Sequence, residues 1–153
     1  MKKEIKFLQD STEELLKLMG VSANAEVSWD KDNESYLINI SSDEETGLLI
    51  GKKGENLTSI QTVLSLMLKQ KMGEWKRVVV NVGDYREKEE DYLKNLAEST
   101  ANRAIETKEP QNLYNLKPWQ RRVVHLYLSE RSDVETESQG EGAERYLVVN
   151  PKI

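Results

Sequence analysis

The sequence predicts an α+β fold made of two small α/β units. Three observations carry this. Apolar residues fall in blocks whose period switches between the helical 3.6 and the strand value of 2. The first 84 residues read in the order α-β-β-α-α-β. A long, highly charged helical pattern follows, and after it a second set of helix and strand signals begins. A chain of 153 residues has room for two small units. Although 32% of it is charged, the 37% of hydrophobic residues are periodic rather than scattered, which separates it from disordered sequences.

Residues 4–19 predict a helix, with Ile5, Leu8, Thr12, Leu15, Leu16 and Met19 near one face. Ser11-x-x-Glu14 has the form of a capping box that would restart this helix, and Gly20 would stop it. Ala25–Asp30 alternates through Val27 and Trp29. Lys31-Asp32-Asn33-Glu34 is turn material, and Tyr36, Ile38 and Ile40 alternate again, so a β-hairpin is expected. Ser42-x-x-Glu45 suggests a short helix ending at Gly51.

A second helix is expected from Glu55 to Met72. Its stripe runs through Leu57, Ile60, Leu64, Met67, Leu68 and Met72 and is widened by Val63 and Leu66, as for a helix packed deeply on a sheet. Gly73 ends it, and Lys76–Val82 is a valine-rich strand.

Tyr85 to Thr107 predicts the long helix, with Tyr85, Tyr92, Leu93, Leu96, Ala97, Thr100, Ala104 and Ile105 facing inward and Pro110 ending the run. Gln111–Leu116 reads as a short strand. Pro118 suits the first turn of a helix reaching Glu130, in which Trp119, Val123 and Leu126 are expected in the core. Val134–Glu137 and Arg145–Val149 read as strands joined through Gln139-Gly140-Glu141-Gly142. The expected domains are 1–84 and 85–153, the second including the long helix.

Composition narrows the function. The net charge of −5 weighs against a strong non-specific DNA binder, which shows a basic footprint. The acidity is uneven: residues 1–84 carry 11 Lys+Arg against 14 Asp+Glu, whereas residues 111–153 carry 6 of each. The absence of cysteine excludes disulfides, thiolate nucleophiles and cysteine zinc sites, and a single histidine, His125, excludes a histidine-rich metal site. No metal or cofactor is expected. Met1 to Asp10 has no apolar signal-peptide region, and no apolar run approaches the ~20 residues needed to span a bilayer. A soluble cytoplasmic protein is expected.

Two constellations carry chemistry. In Leu49-Ile50-Gly51-Lys52-Lys53-Gly54-Glu55-Asn56-Leu57, two glycines bracket two cations ahead of a helix start. Glycine permits close backbone approach to a ligand, and a helix N-terminus offers free N–H groups. Gly51, Lys52, Lys53 and Gly54 are therefore candidates for gripping a phosphodiester backbone. The same four residues also suit a plain helix–helix turn in which the glycines serve geometry alone. In Lys117-Pro118-Trp119-Gln120-Arg121-Arg122-Val123-Val124-His125, Arg121 and His125 lie four apart on one helix face, flanked by Arg122 and Ser129. A guanidinium fork beside an imidazole can hold phosphate. A structural role fits as well, with Arg121 paired to nearby acids and His125 half-buried and satisfied.

The first constellation resembles the KH domain, whose pattern aliphatic-Ile-Gly-x-x-Gly-x-x-aliphatic is met without a gap from Ile50 to Leu57. Two strands ahead of the loop resemble the type II topology. The second, with its closing Thr136-x-Ser138-x-Gly140-Glu141-Gly142-x-x-Arg145, resembles the small Arg-xxx-His (R-three-H) domain. The tandem, from about Ala25 to Val149, is similar to the bacterial Jag (SpoIIIJ-associated) family. Two departures stand out: the family's usual additional N-terminal domain and linker are not in this sequence, and Ala143 stands where a proline is usual.

The resemblance implies a type II KH domain over 1–84 and an Arg-xxx-His domain over 85–153. It implies single-stranded RNA, or single-stranded DNA, held at Gly51, Lys52, Lys53 and Gly54 and at Arg121, Arg122 and His125. It also implies a small KH-domain partner protein and a link to cell elongation, division or sporulation. The alternative function is a protein-interaction scaffold dimerising with a KH-only partner, with RNA binding secondary. An enzyme is not expected, because no second base, metal cluster or nucleophile constellation accompanies His125.

Overall fold

The computed structural model describes residues 1–152. The fold is mixed α+β, with two compact units, Met1–Arg86 and Glu87 onward. The first contains α1 (Lys2–Leu18), β1 (Asn24–Asp30), β2 (Ser35–Ser41), α2 (Thr46–Ile50), a tight turn over Lys52–Gly54, α3 (Glu55–Met72) and β3 (Arg77–Val82). Next come α4 (Tyr85–Thr107), β4 (Gln111–Leu113), α5 (Pro118–Leu128), β5 (Val134–Gln139) and β6 (Tyr146–Pro151).

In the first unit the sheet runs β1-β2-β3, with β1 and β2 antiparallel and β2 and β3 parallel. A parallel pair needs a crossover, and α2, the turn and α3 supply it. The β1–β2 turn is tied by Asp30, whose Oδ1 accepts from the backbone N–H of Asp32 and Asn33 and whose Oδ2 accepts from Asn33 Nδ2. Those bonds, led by the one from the Asn33 side chain, hold the Asp30 carboxyl below its usual pKa. The register places Trp29 opposite Tyr36, and their rings meet edge to face with centroids 4.8 Å apart. Ile38, Ile40, Val80 and Val82 are fully or almost fully buried, and Leu8, Leu16, Leu57, Ile60, Leu64 and Leu68 of the helices close over them.

The helices differ from the sequence reading in their edges. No restart occurs at Ser11: α1 is continuous, and Thr12 Oγ1 donates to Leu8 O within the same helix. Met19 caps α1 and is exposed rather than inward. Ser42 Oγ accepts from Glu45 N–H as a capping box requires, but the helix itself starts later, at Thr46. On α3, Val63, Leu66, Met67 and Met72 are exposed, so the buried stripe is only Leu57, Ile60, Leu64 and Leu68.

In the second unit an antiparallel sheet of order β4-β6-β5 carries Leu147 and Val149 into a core with Leu93, Ala97, Ala101 and Ala104 of α4, and Val124 and Leu128 of α5. Three alanines on one face of α4 let its backbone approach the core closely. Tyr92 and Ile105, expected inward, are exposed, and Ala101 takes part instead. α5 begins with Pro118 at its first position, and Lys117 N–H donates to Gln120 Oε1 in 2.8 Å capping geometry. Gln120 Nε2 then donates to Glu89 Oε1 of α4 at 3.0 Å. Leu126, expected in the core, is exposed. The strand expected over Gln111–Leu116 stops at Leu113, since Asn115 takes a left-handed φ of 61° that breaks the extended ladder.

Candidate nucleic-acid interface

The glycine loop hangs between two anchored ends. Leu49 is fully buried and Leu57 nearly so, while Ile50 packs at the edge of the same core. Between them the backbone turns through three left-handed or positive-φ sites: Gly51 at +71°, Lys53 at +54° and Gly54 at +75°. Lys52 and Lys53 project from this turn and are exposed, whereas Gly54 is buried.

The glycines are required for a reason the sequence does not display. A Cβ on Gly54 would sit 2.6 Å from Tyr85 Oη, and one on Gly51 would sit 2.7 Å from Asn56 Cγ. Asn56 is itself fixed, its Nδ2 donating to Leu48 O at 2.7 Å. The space left by each missing side chain is thus filled by the protein. The loop is a braced turn that displays two cations. Behind it, α3 runs 18 residues from its cap at Gly54, and the first-turn N–H groups of a helix point out of that end without intrahelical partners.

The second candidate site is a hollow of about 350 Å³ lined by Pro118, Arg121, Arg122, His125, Thr136, Ser138 and Arg145. Arg121 does not lie on a solvated polar stripe. Its side chain is buried, and Nη1 donates to Leu116 O at 2.7 Å and to Arg145 O at 3.3 Å. These carbonyls fasten the start of α5 to the residue that leads into β6. His125 is exposed, and its Nδ1 is hydrogen-bonded with Thr136 Oγ1 of β5. Arg122 is exposed on the rim.

Thr136, Ser138 and Arg145 join the hollow although their sequence positions are remote from α5. The alternation of β5 puts Thr136 and Ser138 on one face, opposite Val149 and Leu147 of β6. Thr136, Ser138 and Arg145 all belong to the closing motif Thr136-x-Ser138-x-Gly140-Glu141-Gly142-x-x-Arg145 already visible in the sequence. Lys52 and Lys53 lie within the first unit, and Arg121, Arg122 and His125 within the second. Among the described residues no group of three or more His, Cys, Asp or Glu side chains is placed to hold a metal ion.

A profile described as the KH domain of KhpA/KhpB matches residues 6–82, half of the chain, and one for the R-three-H domain matches residues 91–151. The chain belongs to the KhpA/KhpB KH-domain family. It carries that KH domain and the R-three-H domain in tandem, with the glycine loop inside the first match and the Arg121–His125 pair inside the second. Its relatives include a protein of Clostridium symbiosum named RNA-binding protein KhpB, 29% identical over 150 residues, covering 98% of this chain and 65% of the relative. The Bacillus subtilis protein of the same name is 34% identical over 111 residues, covering 71% of this chain and 53% of the relative. That of Lactiplantibacillus plantarum is 33% identical over 135 residues, covering 88% and 41%. The chain therefore spans about two fifths to two thirds of the length of these KhpB relatives.

Proposed function

We propose that this chain is a non-catalytic RNA-binding regulatory protein. The KH loop holds single-stranded RNA through Gly51, Lys52, Lys53 and Gly54, and the R-three-H hollow adds a second contact through Arg121, Arg122 and His125. The observation that carries this is the loop braced by the Asn56–Leu48 hydrogen bond, which leaves Lys52 and Lys53 exposed. The names of the KhpB relatives support the ligand class. Two modest sites on one chain raise avidity when one strand reaches both. The resemblance to the Jag family adds a cytoplasmic role in cell elongation, division or sporulation. Among the described residues no helix is long and apolar enough to cross a membrane.

The test is an anisotropy titration with labelled single-stranded RNA. Lys52→Ala/Lys53→Ala is the informative variant, because aspartates at Gly51 and Gly54 would collide with Asn56 and Tyr85 and disturb the fold. Unchanged affinity in the lysine variant would sink the clamp. Sustained cleavage of the RNA that disappears in His125→Ala would overturn the non-catalytic reading.

A second reading, a scaffold that dimerises with a small KH-domain partner, is favoured by the exposed apolar residues Val63, Leu66 and Met67 of α3. Leu66 and Met67 border a shallow hollow with Phe7 and Lys71. Light scattering of the chain alone and with such a partner separates the two: a monomer that binds RNA and ignores the partner argues against the scaffold.

A further inference from the structure

The outer face of the second unit's sheet carries a pair of tyrosines that its core does not use. Leu113 of β4 stands opposite Leu147 of β6, and Leu147 is fully buried on the helix-covered face. Strand alternation puts Asn112 and Tyr146, the residues before Leu113 and Leu147, on the other face, and Tyr114, just past the end of β4, joins Tyr146 there. There the rings of Tyr114 and Tyr146 meet with centroids 5.1 Å apart and planes tilted by 41°. Tyr114 is 58% exposed, a large apolar area left in water for an ordered ring.

Both rings are held in place. Asn112 Nδ2 donates to Tyr114 Oη at 2.8 Å, and Tyr146 Oη donates to Gln139 Oε1 at 3.0 Å. The amides of Asn112 and Gln139 are exposed, so polar groups able to meet a base edge stand beside the aromatic surface. The cationic hollow lies on the other, helix-covered face, where Thr136 and Ser138 pair with Val149 and Leu147, and the two come together only at the end of the sheet. Arg145, the chain neighbour of Tyr146, lines that hollow, and its carbonyl receives Arg121 Nη1. On the same outer face Glu135 and Glu137 of β5 are exposed. Their charge disfavours a phosphate backbone over that part of the face.

We propose that Tyr114 and Tyr146 form a stacking platform for an unpaired nucleobase of single-stranded RNA whose neighbouring phosphate lies in the Arg121/Arg122/His125 hollow. The proposal rests on the RNA-binding reading above and gives the R-three-H unit a base contact in addition to a phosphate contact. Rings already ordered by hydrogen bonds lose little freedom when a base stacks on them, and stacking tolerates any base.

The test compares two labelled oligonucleotides of equal length and charge, one a single-stranded RNA and one carrying abasic residues, titrated against the full chain. Tyr114→Ala is expected to weaken binding of the base-bearing strand about 5- to 150-fold. It should leave the abasic strand within about twofold, and Tyr114→Phe should retain wild-type binding because the ring remains. Equal losses on both strands, or no loss on either, overturns the platform. Indifference to Tyr114→Ala in a chain that still loses affinity on Lys52→Ala/Lys53→Ala removes the platform and leaves the RNA-binding function standing. Failure of the wild-type chain to bind either strand removes both.

Discussion

Gly54 shows how much a single position can be asked to do. It adopts φ +75°, a region that costs a side-chain-bearing residue energy in its own right, and Tyr85 Oη stands 2.6 Å from where its Cβ would be. Gly54→Ala is therefore expected to cost about 1–3 kcal/mol of stability in urea unfolding. In a Tyr85→Phe background the same change should cost about 0.5–1 kcal/mol less, because the closest atom is gone. Equal costs in the two backgrounds would mean that backbone strain alone explains the glycine. Lys52→Ala, by contrast, should leave stability within about 0.5 kcal/mol, since its side chain is exposed. In the second unit, Arg131 joins three groups: Nε and Nη2 meet the two carboxylate oxygens of Asp133, and Nη1 meets Glu98 and Asn102. The Arg131 hydrogen bond is the main reason the Asp133 carboxyl lies below its ordinary value of 3.8. A depressed folded-state pKa contributes stability that is complete above the ordinary value and is lost as pH falls through the depressed one. The urea midpoint should thus drop further between neutral pH and about pH 3 in the wild-type chain than in Asp133→Asn. Parallel profiles would show that the pair contributes nothing measurable.

α3 marks the division between what periodicity can and cannot reveal. Its apolar residues cover more than one stripe, and the sequence reads them as one wide buried face. The sheet of this unit has only three strands, and α3 buries Leu57, Ile60, Leu64 and Leu68 alone. Period and length identify the helix, but they do not say how much of an apolar surface finds a partner within the chain. Leu64→Ala should consequently cost about 2–5 kcal/mol, since Leu64 is fully buried. Leu66→Ala, half exposed, should cost no more than about 0.5 kcal/mol. Comparable losses measured by thermal melting would restore the wide buried face. The same lesson explains Tyr92, Ile105 and Leu126, which fall at helical spacing yet remain outside. Strand ends were equally hard to read, because β4 is cut short by the backbone of Asn115 rather than by any turn signal the sequence advertises.

At the scale of the whole molecule, the sites were legible as short motifs because each lies on contiguous residues with fixed spacing. How their surroundings meet them was not: Tyr85 under Gly54, and the Thr136–Arg145 motif around His125, come into place only through tertiary pairing. That difference shapes the electrostatics expected of binding. The chain has a net charge of −5, so the long-range field repels nucleic acid and attraction must come from local clusters. Lys52 and Lys53 form one, and Arg122 with Arg145 forms the other, all four being exposed. The buried Arg121 is bound to carbonyls, and its charge reaches the hollow from behind. Each phosphate neutralised on a single strand changes log K by about −0.7 per unit of log salt. Two lysines alone give a slope of about −1.4, and all four cations about −2.8. A slope near the larger value that falls by about 1.4 in Lys52→Ala/Lys53→Ala, and by a similar amount in Arg122→Ala/Arg145→Ala, means that both clusters hold phosphates of the same strand. A slope that the arginine changes leave untouched confines RNA to the KH loop and makes the R-three-H hollow a structural device.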